Sequence, residues 1–372
     1  MKLLILYASA GAGHRRAAEA LAEEAGVQGC EAILADILDF TPPLFRRTYA
    51  KGYLELVRTL PELWGYLYAQ ADRTAQHPHR RMIRTVFNRL NTFSFLRFYR
   101  RQAPDAAVCT HFMPLEILSA RRREDRPSAP LYGVLTDFDM HAMWLCRNVD
   151  RYFASTEDAA RHLIRRGQPA DRVMVTGIPV LSAFRQNAAP AATRGKLGLD
   201  PDLPAVLVLA GGFGVGPAAE LVRAFEGRAV RCQMVVVAGR NEEMRRECEQ
   251  AARSVTQPVR VLGFVENVHE LMDSADLVAT KPGGLSSSEA LAKGKPLLLL
   301  DPIPGQEQRN AEYLLESGAA VRLIEAADAP DKIGALLAEP ARLRRLARQA
   351  RALGRPQAAR DIIRLVRESC LR

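Results

Sequence analysis

Two stretches of the 372-residue chain combine residues that can hold a phosphate with residues that can hold or move a proton. The first is Lys281-Pro282-Gly283-Gly284-Leu285-Ser286-Ser287-Ser288-Glu289. The apolar run 276–280 precedes it and reads as a buried strand. A helix-forming run, 287–293, follows. Glycine lets the chain turn sharply and lets a ligand approach the backbone closely. A helix starting there offers unpaired N–H groups and the positive end of its dipole, and both favour an anion such as phosphate. Glu289, on the first turn, is placed to accept hydrogen bonds from sugar hydroxyls. A capped helix after a tight turn has the same residues, because strand–glycine–helix turns recur in α/β proteins.

The second stretch is Ser9-Ala10-Gly11-Ala12-Gly13-His14, between an apolar run at 2–8 and a helix-forming run at 15–25. His14 stands at the carboxyl end of the first strand, where open α/β sheets place ligands. It suits a base or a hydrogen-bonding group, and equally a helix cap. His111 follows the strand 106–110, and Asp137 and His141 follow the strand 131–136. Each is a candidate cleft residue, with a structural role as the alternative. Asp137-Phe138-Asp139 spells DxD, a metal-binding signal of a different fold, and three residues are too short a match to assign one.

The elements that must position these residues alternate strand and helix in two series. The first uses strands at 2–8, 31–35, 106–110, 131–136, 151–155 and 173–180. The second restarts at 205–210, turns through Gly211-Gly212-Phe213-Gly214-Val215-Gly216, and continues with strands at 234–238, 259–262, 276–280 and 296–300. The length exceeds what one core usually serves. The expected architecture is therefore α/β, with two Rossmann-like domains facing across a cleft. Residues 1–183 form the N-terminal domain, 184–204 an Ala- and Pro-rich linker, 205–340 the C-terminal domain and 341–372 a basic C-terminal helix. Neither glycine turn has the GxGxxG-then-acid spacing, which argues against a dinucleotide-dependent oxidoreductase.

Fifty-two basic against 42 acidic residues leave a net charge of +10, which calls for an anionic partner. Residues 40–101 interrupt the strand–helix rhythm and read as a helical insertion. Between 44 and 101, twelve Lys or Arg stand against three acids. Aromatics are interleaved with them, among them Trp64, Tyr66, Tyr68, Phe87, Phe93 and Phe95. Such segments suit the boundary between anionic headgroups and acyl chains, each basic group contributing about 1 kcal/mol. The alternative is a core of aromatics under a solvated basic face. No RNA- or DNA-binding pattern accompanies the charge, so nucleic acid is not expected as a partner. The six cysteines are scattered without a CxxC, as in a reducing compartment, and do not form a metal-binding set. The N-terminal apolar run is short and ends in Gly and His, as a first strand does and a signal peptide does not. No run approaches the roughly 20 apolar residues of a membrane span. A cytoplasmic protein held peripherally at the inner face of the cell membrane is expected.

Six motifs in order carry a family resemblance: Ser9-Ala-Gly-Ala-Gly-His14, Leu135-Thr-Asp137-Phe-Asp-Met-His141, Gly177-Ile-Pro-Val180, Gly263-Phe-Val265, Lys281-Pro-Gly-Gly284 with Glu289-Ala-Leu291, and Pro304-Gly-Gln306-Glu307 with Asn310. Over about 1–325 the chain resembles the processive diacylglycerol glucosyltransferases and the monogalactosyldiacylglycerol synthases. More distantly it is similar to the MurG transferase of peptidoglycan synthesis. The resemblance implies a GT-B fold and inverting transfer from a UDP-sugar co-substrate to a lipid acceptor, with no cofactor and no metal needed for chemistry. It implies that Phe264 and Val265 meet the uracil and that Glu289 accepts the ribose hydroxyls. Gly283, Gly284, Leu285 and Ser286 would hold the pyrophosphate, Gln306 and Glu307 the sugar hydroxyls, and Gly212 and Phe213 would line the donor cleft. His14, assisted by Asp137, would serve the acceptor hydroxyl as base or orienting group. Gly13, His111, His141, Trp64, Tyr66 and Tyr68 would face the acceptor lipid and membrane. The implied partners are UDP-glucose or UDP-galactose, a diacylglycerol-type lipid and an anionic membrane surface. A MurG-like transferase of N-acetylglucosamine and a non-enzymatic basic membrane-binding protein remain the alternatives.

Overall fold

The computed structural model describes residues 1–9, 11–42, 60, 62–63, 65–66, 70, 93–122, 129–211 and 216–371. Most of the 40–101 insertion, with Trp64 and Tyr68, and the turn residues Gly212 and Phe213 lie outside them. The chain divides into two units. The first holds Met1–Ser182, Ile303–Arg309 and Gln357–Arg372, and the second Ala183–Pro302 and Asn310–Pro356.

The first unit is built on six parallel strands: β1 (Lys2–Tyr7), β2 (Glu31–Asp36), β3 (Ala106–Cys109), β4 (Leu131–Val134), β5 (Arg151–Ala154) and β6 (Val173–Val175), in the order β2-β1-β3-β4-β5-β6. Runs such as Leu3-Leu4-Ile5-Leu6 are fully enclosed. That is what a parallel sheet covered on both faces requires, and why its strands are continuously apolar rather than alternating. Helices α1 (Ala12–Val27), α2 (Phe93–Gln102), α3 (Phe112–Ser119) and α4 (Glu157–Arg165) belong to this unit.

The second unit repeats the plan with β7 (Ala205–Leu209), β8 (Gln233–Val237), β9 (Val259–Leu262), β10 (Leu277–Thr280), β11 (Leu297–Leu299) and β12 (Ala320–Arg322), in the order β12-β11-β10-β7-β8-β9. Its helices are α5 (Pro190–Leu197), α6 (Ala218–Arg223), α7 (Glu242–Arg253), α8 (Val268–Ser274), α9 (Gly284–Ala292), α10 (Gln306–Glu316, whose first turn is grouped with the first unit), α11 (Ala329–Ala338) and α12 (Pro340–Leu353). β12 was not expected. Three residues, only Ala320 of them buried, give no periodic signal.

Two expected boundaries change. The stretch 184–204 carries α5 and is fastened to the second unit. Arg194 pairs with Asp276 at 2.8 Å and donates to the carbonyls of Ser274 and Pro201. The basic stretch 341–372 is two helices, not one. Gly354 and Pro356 end α12, because proline removes a donor and restricts the residue before it. At Gly354 a Cβ would collide with the Leu291 carbonyl oxygen. The chain then starts α13 (Ala358–Cys370), whose Ile362, Ile363 and Val366 join the core of the first unit beside Leu3, Ile5 and Leu21. Among the described residues no helix is long and apolar enough to cross a membrane.

Candidate functional site

In the first sheet the chain leaves β1 for β2 on one side and comes back to β3 on the other. Loops diverge at such a point and open a crevice at the strands' carboxyl ends. His14 stands there, third residue of α1, after the extended Gly11 that precedes the helix. Its ring does not cap the helix. Nδ1 lies 2.8 Å from the backbone oxygen of Thr110, just past β3, and 2.9 Å from Oγ1 of Thr136, past β4. Thr110 Oγ1 in return donates to the His14 carbonyl at 2.8 Å. A carbonyl oxygen only accepts, so Nδ1 carries the hydrogen and Nε2 keeps its lone pair. Burial lowers the His14 pKa, while the Asp137 carboxylate and the Thr110 hydrogen bond work in the opposite direction. The ring is neutral near pH 7, with a nitrogen able to take a proton.

His111 meets His14 edge to face, with ring centroids 4.6 Å apart. Its own Nδ1 accepts from Met113 N at 3.0 Å and caps α3, and burial holds its pKa well below the usual histidine value. His141 is buried and caps the short helix Ala142–Trp144, accepting from Met143 N at 3.2 Å. Both histidines expected to face the acceptor thus have capping roles at strand ends, and Gly13 is the second residue of α1. Asp139, the second acid of the DxD, meets His162 Nδ1 at 2.6 Å and Arg309 Nη1 at 3.6 Å.

The second sheet has the same switch between β7 and β10. The loop leaving β10 is Lys281-Pro282-Gly283, and α9 starts at Gly284 with Gly283 as an extended cap that has no side chain to offer. No acid lies in the first turn. The N–H groups of Gly284, Leu285 and Ser286 have no acceptor among the described residues, and the first bond back is Ser287 N to Gly283 O at 3.1 Å. Ser287 Oγ is fully enclosed and also without a partner among them. Glu289 is half-buried one turn further on. Gly216, at φ +152°, brings the end of the β7 turn against the Lys281 stem, which a Cβ would meet at 3.6 Å. Past β9, Phe264 is 52% exposed and the Arg240 guanidinium lies over its ring, 4.4 Å from the centroid. Val265, beside it, is half-buried.

Gln306 and Glu307 begin α10 in the part of the chain grouped with the first unit. Glu307 Oε2 accepts from Ile303 N at 2.9 Å and closes the turn. Arg309 ties that turn to the loop after β4, through Asp139 and a 3.4 Å bond to the Met140 carbonyl. The described aromatics of the insertion divide. Phe95 is core, with Phe98 and Tyr99 packed against it, while Tyr66 and Phe93 are exposed.

The structure thus gathers His14, Asp137 and His111 at one switch point, and Gly283, Gly284, Leu285, Ser286 and Glu289 at the other. Sequence reasoning missed Thr110, Thr136, Arg240 and Arg309. The two threonines lie just past the ends of β3 and β4, and that position was their only signal. Nothing in the sequence pairs Arg240 with Phe264 or Arg309 with Asp139.

Residues 14–180 match the family model of monogalactosyldiacylglycerol (MGDG) synthase, and residues 148–367 that of UDP-N-acetylglucosamine 2-epimerase. A processive diacylglycerol β-glucosyltransferase of Bacillus mycoides is 30% identical over 364 residues, covering 97% of this chain and 92% of that one. Among solved structures, MurG of Acinetobacter baumannii is similar at TM-score 0.60 and 15% identity, covering 99% of both chains. The 2-epimerase of Neisseria meningitidis bound to UDP-GlcNAc reaches TM-score 0.59 at 16% identity, covering 99% of this chain and 100% of that one. At those identities the two structures show a shared GT-B fold.

Proposed function

Because the chain belongs over nearly its whole length to the processive diacylglycerol β-glucosyltransferase family, and shares over 148–367 the scaffold of the UDP-N-acetylglucosamine 2-epimerases, we propose that it moves glucose or galactose from its UDP-sugar to a diacylglycerol-type lipid, with inversion. The observation that carries the reading is the N-terminus of α9, three N–H groups without an acceptor among the described residues, at the switch point of the second sheet. Those groups and the helix dipole hold the pyrophosphate and take up the charge of departing UDP. Glu289 accepts the ribose hydroxyls, Phe264 and Val265 receive the uracil, and Gln306 and Glu307 read the sugar.

The first unit supplies the base. His14 Nε2 takes the proton of the acceptor hydroxyl as that oxygen bonds to the sugar's anomeric carbon, and the bond to the β-phosphate breaks with its electrons leaving on UDP. Asp137 stabilises the imidazolium. This chemistry needs no metal, so transfer persists in EDTA. Exposed Tyr66 and Phe93, with Arg97, Arg100 and Arg101 on α2, support peripheral docking on an anionic membrane at the cytoplasmic face.

Product analysis with a panel of UDP-sugars and lipid acceptors in anionic vesicles tests the reading. A glycosylated diacylglycerol with UDP release is expected. Transfer of N-acetylglucosamine to a polyprenyl-linked acceptor would instead favour a MurG-like enzyme. The 148–367 match favours a second reading, epimerisation at C2. Isomerised UDP-N-acetylglucosamine formed without any acceptor would establish it, and absence of lipid transfer with every donor would end the first.

A further inference from the structure

We infer that Thr136 is a positioning residue for His14, a second acceptor for the Nδ1–H that fixes the tautomer and tightens when the ring gains its proton. The inference rests on the reading of His14 as the base. Since the Thr110 carbonyl 2.8 Å away obliges Nδ1 to donate, Thr136 Oγ1 at 2.9 Å shares the same hydrogen in a three-centre bond. Three separate segments meet at this ring: the start of α1, the end of β3 and the end of β4. Thr136 is 4% exposed, so water does not compete for the contact. Among the described residues, the other titratable groups facing the ring are Asp137, from the loop after β4, and His111, from the start of α3. The Nδ1 of His111 is engaged by Met113 N–H and does not serve His14. When Nε2 takes the acceptor proton, positive charge reaches Nδ1–H, and hydrogen bonds to a charged donor are the stronger kind. Thr110 contributes backbone, which substitution leaves in place. Thr136 contributes a side chain and is the adjustable half of the cradle.

Thr136→Val removes the acceptor with little change of shape, and Thr136→Ser keeps it. The valine variant is expected to lose about tenfold in kcat. Its KM for the UDP-sugar should stay unchanged, and the acid limb of its kcat/KM profile should move to lower pH, because the imidazolium has lost a partner. Serine should restore both. Nitrogen-15 resonances of the His14 ring in the unaltered protein, read above its titration, should report hydrogen on Nδ1. A valine variant with the original kcat and acid limb, or a ring protonated on Nε2, overturns the inference. His14→Gln separates it from the parent reading. If that variant transfers sugar at the full rate, His14 is not the base and both fall. If it binds UDP without transfer while Thr136→Val is silent, only the inference falls.

Discussion

Lys293 Nζ lies 2.7 Å from Asp273 Oδ2, with the lysine side chain fully enclosed and the aspartate 7% exposed. The same carboxylate oxygen accepts from Ala188 N at 2.8 Å, and the ammonium also donates to the Gln186 carbonyl. The pair therefore holds residues 186–188 onto α8 and α9. Removing one partner of a buried pair leaves an uncompensated charge, which costs about 3–5 kcal/mol. Lys293→Met should lower stability in urea by roughly that amount. Adding Asp273→Leu should recover part of it, and a single variant that unfolds at the same urea concentration as the parent would remove this account of the 184–204 stretch.

Glu289→Ala should weaken UDP binding by about tenfold to a hundredfold, the range for a carboxylate hydrogen-bonded to hydroxyls. Titration calorimetry reads this directly. Sedimentation with anionic vesicles should not change, since Glu289 lies in the second unit and the proposed docking residues Tyr66, Phe93 and Arg97 in the first. Unaltered UDP affinity would take the ribose role away from Glu289.

Asp137 raises the His14 pKa against the larger, lowering effect of burial. If His14 is the base as proposed, Asp137→Asn should therefore shift the acid limb of kcat/KM to lower pH and reduce kcat, because the imidazolium then loses its counter-charge. An acid limb that stays where it was would show that Asp137 does not act on His14.

His111 gives a stability prediction with a definite sign. Its pKa in the folded protein is well below the unfolded value of 6.5. Between the two, the unfolded chain binds more protons, so stability is unaffected above about pH 6.5 and falls as pH drops below it. His111→Asn keeps an acceptor suited to capping α3 and removes the titration. Urea midpoints at pH 7 and pH 5 should differ less in that variant than in the parent. An equal difference would place the pH dependence elsewhere.

Arg309 holds the first turn of α10 through Asp139 and the Met140 carbonyl. Arg309→Ala should raise KM for the UDP-sugar by about fivefold, in keeping with a partly exposed ion pair, while affinity for UDP itself stays constant. Equal loss for UDP and UDP-sugar would mean that the turn does not read the sugar.

The sheets were legible because parallel strands covered on both faces must be continuous apolar runs, as at residues 3–6 and 205–209. The turns were legible because glycine gathers where strands give way to helices at Gly11, Gly13, Gly283 and Gly284. Those local rules also put His14 and Gly284 at strand ends before any contact was known. β12 escaped because three residues with only Ala320 buried have no period. The linker expectation changed because Ala and Pro content does not reveal that Arg194 reaches Asp276 or that Lys293 reaches Asp273.

By itself the sequence determined the twofold βα plan, the family, and which residues stand at the carboxyl ends of strands. Each of these depends on neighbours in the chain or on the order of motifs. Only the tertiary structure decided which ends meet. Strand order brought the end of β1 beside the end of β3, with β4 next, so that Thr110 and Thr136, 96 and 122 positions away from His14, close on one ring nitrogen. The same ordering left the three N–H groups of α9 without a partner among the described residues and divided the basic C-terminal stretch between two cores. The physical reason is that hydrogen bonds and burial depend on distance in space, which spacing along the chain does not encode.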